Sequence, residues 1–142
     1  MTSSRELVPS VPPPVINGVI AGIVTNNCDP ARLGRIKVKI PVFLDYETDW
    51  ARMTTFMTGG GRGSVFIPEV GDQVLLAFEN GNINAPYVVG ALWNGKARPP
   101  WANDNGKNDI RLIRSRSGHE VIFRDDSSGR ENVEIHTGNG HK

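Results

Sequence analysis

Three acids, Asp45, Glu47 and Asp49, stand at alternate positions between Phe43 and Trp50. Paired carboxylates can serve as general acid and base, the chemistry of a peptidoglycan hydrolase, when an apolar cleft raises the pKa of one of them. The sequence places no apolar pocket around these three, so they read as a solvated polar loop. Just upstream, Arg35, Lys37 and Lys39 alternate with Ile36, Val38 and Ile40. On a strand this spacing puts the cations on one face and the aliphatic residues on the other. Such a stripe, with Phe43, Tyr46 and Trp50 near it to stack bases, has the chemistry of a single-stranded nucleic-acid or oligosaccharide binding module. Three cations make a small electrostatic footprint, however, and a net charge of +1 gives no general attraction to polyanions. A solvated outer face over an apolar interior is the favoured reading, and no stable association with nucleic acid is expected.

Residues 58–64 read TGGGRGS, which invites comparison with a phosphate-binding loop. That motif needs a lysine and a following helix, and here the lysine is missing and an apolar strand-like run follows. The loop is expected to lie close over its neighbours, leaving Arg62 free to reach an acidic partner. His136 and His141 are five residues apart and His119 stands alone, a ligand count too low for a metal site to be expected. Cys28, the single cysteine, supports neither a disulfide framework nor a metal cluster. With no nucleophile elbow and no H-E-x-x-H, catalysis is the least supported class, and no cofactor is expected.

The elements that must hold these residues are short strands. Sixteen Gly and ten Pro in 142 residues, with no sustained helical periodicity, predict an all-β chain with scarce helix. Its organising stretch is residues 64–78, SVFIPEVGDQVLLAF, in which two apolar runs flank Pro68, Gly71 and Asp72. Proline closes a strand and glycine accepts positive φ, so this stretch predicts a β corner. Further strands are expected over 18–25, 34–40, 50–57 and 87–92, with an Asn-Gly turn at 79–82. Five or six such strands most often close into a small OB-type barrel, here assigned to residues 17–98. Residues 1–16, rich in Ser and Pro, read as an extended tether. Residues 99–142 change character, with short strands expected at 110–115, 119–124 and 132–137. These carry too few apolar residues for a core of their own, so they need the barrel or copies of themselves. The opening residues lack the apolar run of a secretory signal, so export is expected inside a larger particle.

Three runs, DPARLGRIKVKIP, DWARM and GRGSVFIPEVGDQVLLAFENGNINAPYVVGALWNGKARPP, resemble the OB-fold domain shared by phage baseplate assembly protein V, the central spikes of contractile phage tails and the VgrG spikes of type VI secretion. The resemblance spans about residues 17–100. IRLIRSRSGHEVIFRDD and VEIHT are similar to the segment where those spikes leave the barrel and begin an intertwined β-helix. What the resemblance implies is a homotrimer, with three barrels around an axis and C-terminal strands wound into a membrane-piercing β-prism. Ile110, Leu112, Val121, Phe123, Val133 and Ile135 are then the expected prism interior, with Arg111, Arg114 and Arg116 mostly on its surface. Arg35, Lys37, Lys39 and Arg62 become candidate partner contacts. The hub domain fused in VgrG is not recognised, so a separate baseplate hub protein is the expected partner. The needle is expected either to be short and capped by a PAAR-like tip protein, or to continue beyond this sequence. Contact with a target membrane would be transient, in a virion or phage-tail-like particle assembled in the bacterial cytoplasm and delivered extracellularly.

Overall fold

The computed structural model describes residues 15–139, so the N-terminal tether up to Pro14 and His141 lie outside the described residues. The chain divides into two compact units between Ala97 and Arg98. Each is built from strands, and helix among the described residues is confined to single 3-10 turns at Pro41–Phe43 and Glu79–Gly81.

The first unit holds β1 (Ile20–Asn26), β2 (Lys37–Ile40), β3 (Tyr46–Glu47), β4 (Arg52–Met53), the small hairpin β5 (Thr58–Gly59) with β6 (Arg62–Gly63), β7 (Gln73–Phe78) and β8 (Pro86–Ala91). Six of these form a sheet in the order β3-β2-β1-β7-β8-β4, antiparallel except where β4 runs parallel to β8. At the far edge Ala51 and Ile36 exchange backbone hydrogen bonds of 2.7 and 3.1 Å, which brings the last strand back to β2 and curls the sheet on itself. Alternation supplies the core. Ile36, just before β2, and Val38 and Ile40 within it meet Val24, Val74, Leu76, Phe78, Val88 and Ala51 inside the curl, all buried. Gly22, also buried, sits in the middle of β1 because Val38 occupies the space its side chain would need. Thr48, the buried polar residue among the core positions, is satisfied because its hydroxyl accepts the Val38 N–H.

The β corner is only half present. Gly71 takes φ +96° and Asp72 N–H closes a turn on Glu69 O, as the turn residues require. Beyond it β7 forms, but Val65, Phe66 and Ile67 pair with no strand and are exposed. The expected 50–57 strand likewise shrinks to β4, leaving Phe56 95% exposed. These runs are apolar without being inward-facing, because the chain here lies outside the curl and borders a groove.

A second irregularity follows β2. After the Pro41–Phe43 turn, Leu44 and Asp45 both adopt left-handed backbone, at φ 54° and 57°. Such a conformation costs a non-glycine residue roughly 1–2 kcal/mol. The turn also presents Val42 and Leu44 to solvent, Leu44 being 98% exposed.

The second unit is a three-stranded antiparallel meander of β9 (Ile110–Arg114), β10 (Glu120–Arg124) and β11 (Asn132–His136), with β10 central. These strands fall within a residue of the ranges the alternation predicts. Gly118 at φ +85° turns β9 into β10, its N–H donating to Ser115 O. Ile122 is the only hydrophobic side chain of this unit that is buried, among the described residues.

Candidate functional site

Register decides what each face of the β9-β10-β11 sheet offers. Val121 lies opposite Ile113 and Ile135, and Phe123 opposite Arg111 and Val133. Residues directly paired share a face, so Ile113, Val121, Phe123, Val133 and Ile135 form one apolar surface. It is open: Val133 is 62% and Ile135 67% exposed. The opposite face carries Ile110, Leu112 and the buried Ile122 among charges. There Arg114 pairs with Glu120, and Arg124 reaches Glu134 at 2.7 Å while His136 contacts the same carboxylate.

The six expected interior residues therefore do not share a face. Val121, Phe123, Val133 and Ile135 lie together, and Ile110 and Leu112 lie behind them. Within one strand the period of two is legible, but which face of β9 matches which face of β10 depends on register, which no single strand encodes. The same cause hid Ile113, whose membership of the apolar face follows from its pairing with Val121. Arg111, expected on the outside, borders the apolar face and is held by Asp125 at 2.5 Å.

The basic stripe is present in geometry and spent in chemistry. Arg35, Lys37 and Lys39 project outward, as the alternation requires, but Arg35 lies on Asp29 through Nε and Nη2 at 2.8 and 2.9 Å. Lys37 is 3.7 Å from Glu47, and both Arg35 and Lys37 stand over the Trp50 ring at 5.9 and 5.4 Å. Lys39 faces Glu47 across the β2-β3 ladder. Trp50 is thus a cation-π platform for the chain's own residues. The acids divide similarly: Glu47 serves Lys37, Asp49 accepts the Trp50 N–H, and Asp45 has no ion pair among the described residues. Arg62 folds its guanidinium across Gly59 within the small hairpin, at the margin of the groove.

Asp29, the first residue of the run DPARLGRIKVKIP, has a role that the sequence alone does not single out. Its carboxylate accepts the N–H groups of Ala31, Leu33 and Arg35 besides the guanidinium, and its side chain is only 2% exposed. The Arg35 hydrogen bonds, aided by the backbone donors, hold its pKa well below the usual carboxylate range. A folded-state value below the unfolded one means that the carboxylate stabilises the fold above about pH 4, and that this contribution fades as pH falls toward the folded value. Acid titration of thermal stability is therefore expected to show a loss below pH 4 in the native chain that is smaller in Asp29→Asn. Equal acid sensitivity in the two proteins would remove this clasp from the account.

Comparison with known proteins agrees with the geometry. A family model described as the type VI secretion system and phage-baseplate injector OB domain matches residues 20–93, which run from β1 to just past β8 and make up more than half of the chain. The type VI secretion system spike protein VgrG1a of Pseudomonas aeruginosa is 25% identical over 151 residues, covering 95% of this chain and 23% of its own length. VgrG4b of the same organism is 29% identical across 79% of the chain, and VgrG3 of Vibrio cholerae is 26% identical across 77%. This chain spans under a quarter of the length of these relatives. A curled OB sheet of the matching extent, followed by a meander covered in the VgrG1a alignment, leads to one conclusion: the chain belongs to the family of type VI secretion and phage-baseplate injector OB domains.

Proposed function

We propose that this protein is a structural spike or hub adaptor of a contractile injection apparatus, working as a homotrimer. The observation that carries the reading is the open apolar face of the C-terminal sheet. A three-stranded meander with one buried hydrophobic residue is marginal alone. Its outer strands β9 and β11 each have an unpaired edge within the sheet, and Ile113, Phe123, Val133 and Ile135 stand exposed around a half-buried Val121. Copies of the same strands supply both deficiencies at once, extending the ladder and burying the face. In this reading residues 17–98 form the ring of barrels and residues 99–142 begin the needle. A baseplate hub protein binds on one side and a PAAR-like tip on the other. The assembly transmits contraction force for brief puncture of a target membrane, as part of a virion or phage-tail-like particle that is assembled in the bacterial cytoplasm and delivered outside the cell. The relatives' designation as type VI secretion system spike proteins supports this reading. The alternative of a nucleic-acid or oligosaccharide module is weakened because Arg35 and Lys37 are engaged within the chain.

Light scattering across a dilution series tests the trimer. The expected mass is that of three chains, persisting to micromolar concentration. A single-chain mass there ends the reading.

A further inference from the structure

Two features of the first unit are left unexplained by the C-terminal face. One is the strained tip of Val42, Phe43 and Leu44, a convex apolar surface followed directly by Asp45. The other is an open groove of ≈ 990 Å³ between the β5-β6 hairpin, the 64–68 segment and the end of β8. Its apolar lining includes Leu33, Phe56, Met57, Val65 and Phe66, all exposed, and Arg32 and Arg62 contribute to it. The groove walls are fastened together, since Thr55 Oγ1 donates to Ser64 O at 2.8 Å and Ser64 N–H to Met57 O at 3.0 Å.

We propose that the Val42–Leu44 tip of one chain seats in this groove on the next copy, so that the OB domains close a ring through one repeated contact. The inference rests on the trimer reading above and assigns the surfaces by which the barrels, rather than the needle strands, associate. Three observations select a second copy as the occupant. First, shape and polarity match, an apolar knob against an apolar trough. Second, charges match: Asp45 beside the knob and Arg32 and Arg62 at the trough carry opposite signs, and none has an ion pair among the described residues. An acid at the knob also disfavours an anionic lipid surface as the alternative occupant. Third, the two features lie at opposite ends of β2. Gly34, at the groove, turns at φ +68° into the extended run 36–40, which carries the chain about 17 Å at strand rise to Pro41 at the tip. Knob and groove are therefore held apart along the chain. Two different complementary patches on one chain make a head-to-tail contact, which closes into a ring when the rotation per step divides a full turn. The contact also gives the left-handed Leu44 a role, because backbone strain persists where a bound arrangement requires it.

The test uses the full chain with the exposed Cys28 replaced, as Cys28→Ser. Into it go Leu44→Cys with Phe66→Cys, and separately Phe43→Cys with Val65→Cys as a second pairing should the first impair folding. A short bis-maleimide is expected to give a ladder ending at three chains for each double variant. Each single variant should stay at one chain. If light scattering shows three chains but neither double variant links, the knob and groove serve another partner: this proposal is overturned and the trimer stands. If light scattering shows single chains, both fall together.

Discussion

Replacing Phe123 with Asp is expected to turn the proposed trimer into single chains at micromolar concentration. Phe123 lies mid-sheet on the open apolar face, between Val133 and Arg111 in register and next to Val121 along β10. Phe123 is 43% exposed in the single chain, so covering the remainder contributes about 1 kcal/mol by transfer, about 3 kcal/mol for three copies. A loss of that size weakens association by roughly 10²-fold, and three carboxylates left unpaired in the interface add a larger cost on top. Sedimentation velocity on the variant checks it, with Asn132→Asp as control, since Asn132 lies opposite Arg124 on the charged face. An undiminished three-chain mass for Phe123→Asp would exclude this face from the interface.

Gly22→Ala is expected to be the most damaging small substitution in the first unit. Gly22 lies between β2 and β7, with Val74 as its partner in β7. A β-carbon there would collide with Val38 Cγ1 and stand 2.9 Å from the Lys39 carbonyl oxygen. Val38 is fully buried and β-branched, so its methyl cannot rotate aside, and the carbonyl belongs to the sheet itself. Overpacking of this kind costs about 3 kcal/mol. For a unit of this size that lowers Tm by roughly 12–24 °C. The signature is partial rescue: Gly22→Ala with Val38→Ala should be more stable than Gly22→Ala alone, a coupling that neighbouring residues show and distant ones do not. Thermal melts of the four proteins of that cycle decide it. If Val38→Ala destabilises equally in both backgrounds, the collision is not the cause.

The cycle works on residues whose placement is largely legible in sequence. Ile36, Val38 and Ile40 alternate strictly with cations, and the structure buries all three. The meander strands and the turns at Gly71 and Asn80-Gly81 were equally legible, because each is set by chemistry within a few residues. What was not legible depends on partners far away in the chain. Val65, Phe66 and Ile67 have the composition of a strand, but no neighbouring edge is present to pair them. Arg35 looked available because Asp29, six residues earlier, becomes its partner only once the 29–34 turn has folded back. The apolar face of the C-terminal sheet needed Ile113 to be matched with Val121, a fact of cross-strand register. Composition told which residues seek cover; only pairing told which seek it together.

The ion pairs behind that face bear on time rather than on final stability. Exposed pairs such as Arg114 with Glu120 contribute little to a finished fold. They do penalise a slip, because a shift of one residue between β9 and β10 or β10 and β11 carries every apolar side chain to the wrong side and separates each arginine from its acid. Each chain can thus proofread its own meander before it meets another. In the proposed needle three such chains would start from strands already in phase, and the fault to which braided fibres are open, a misaligned thread, would be rejected while it still involves only one molecule.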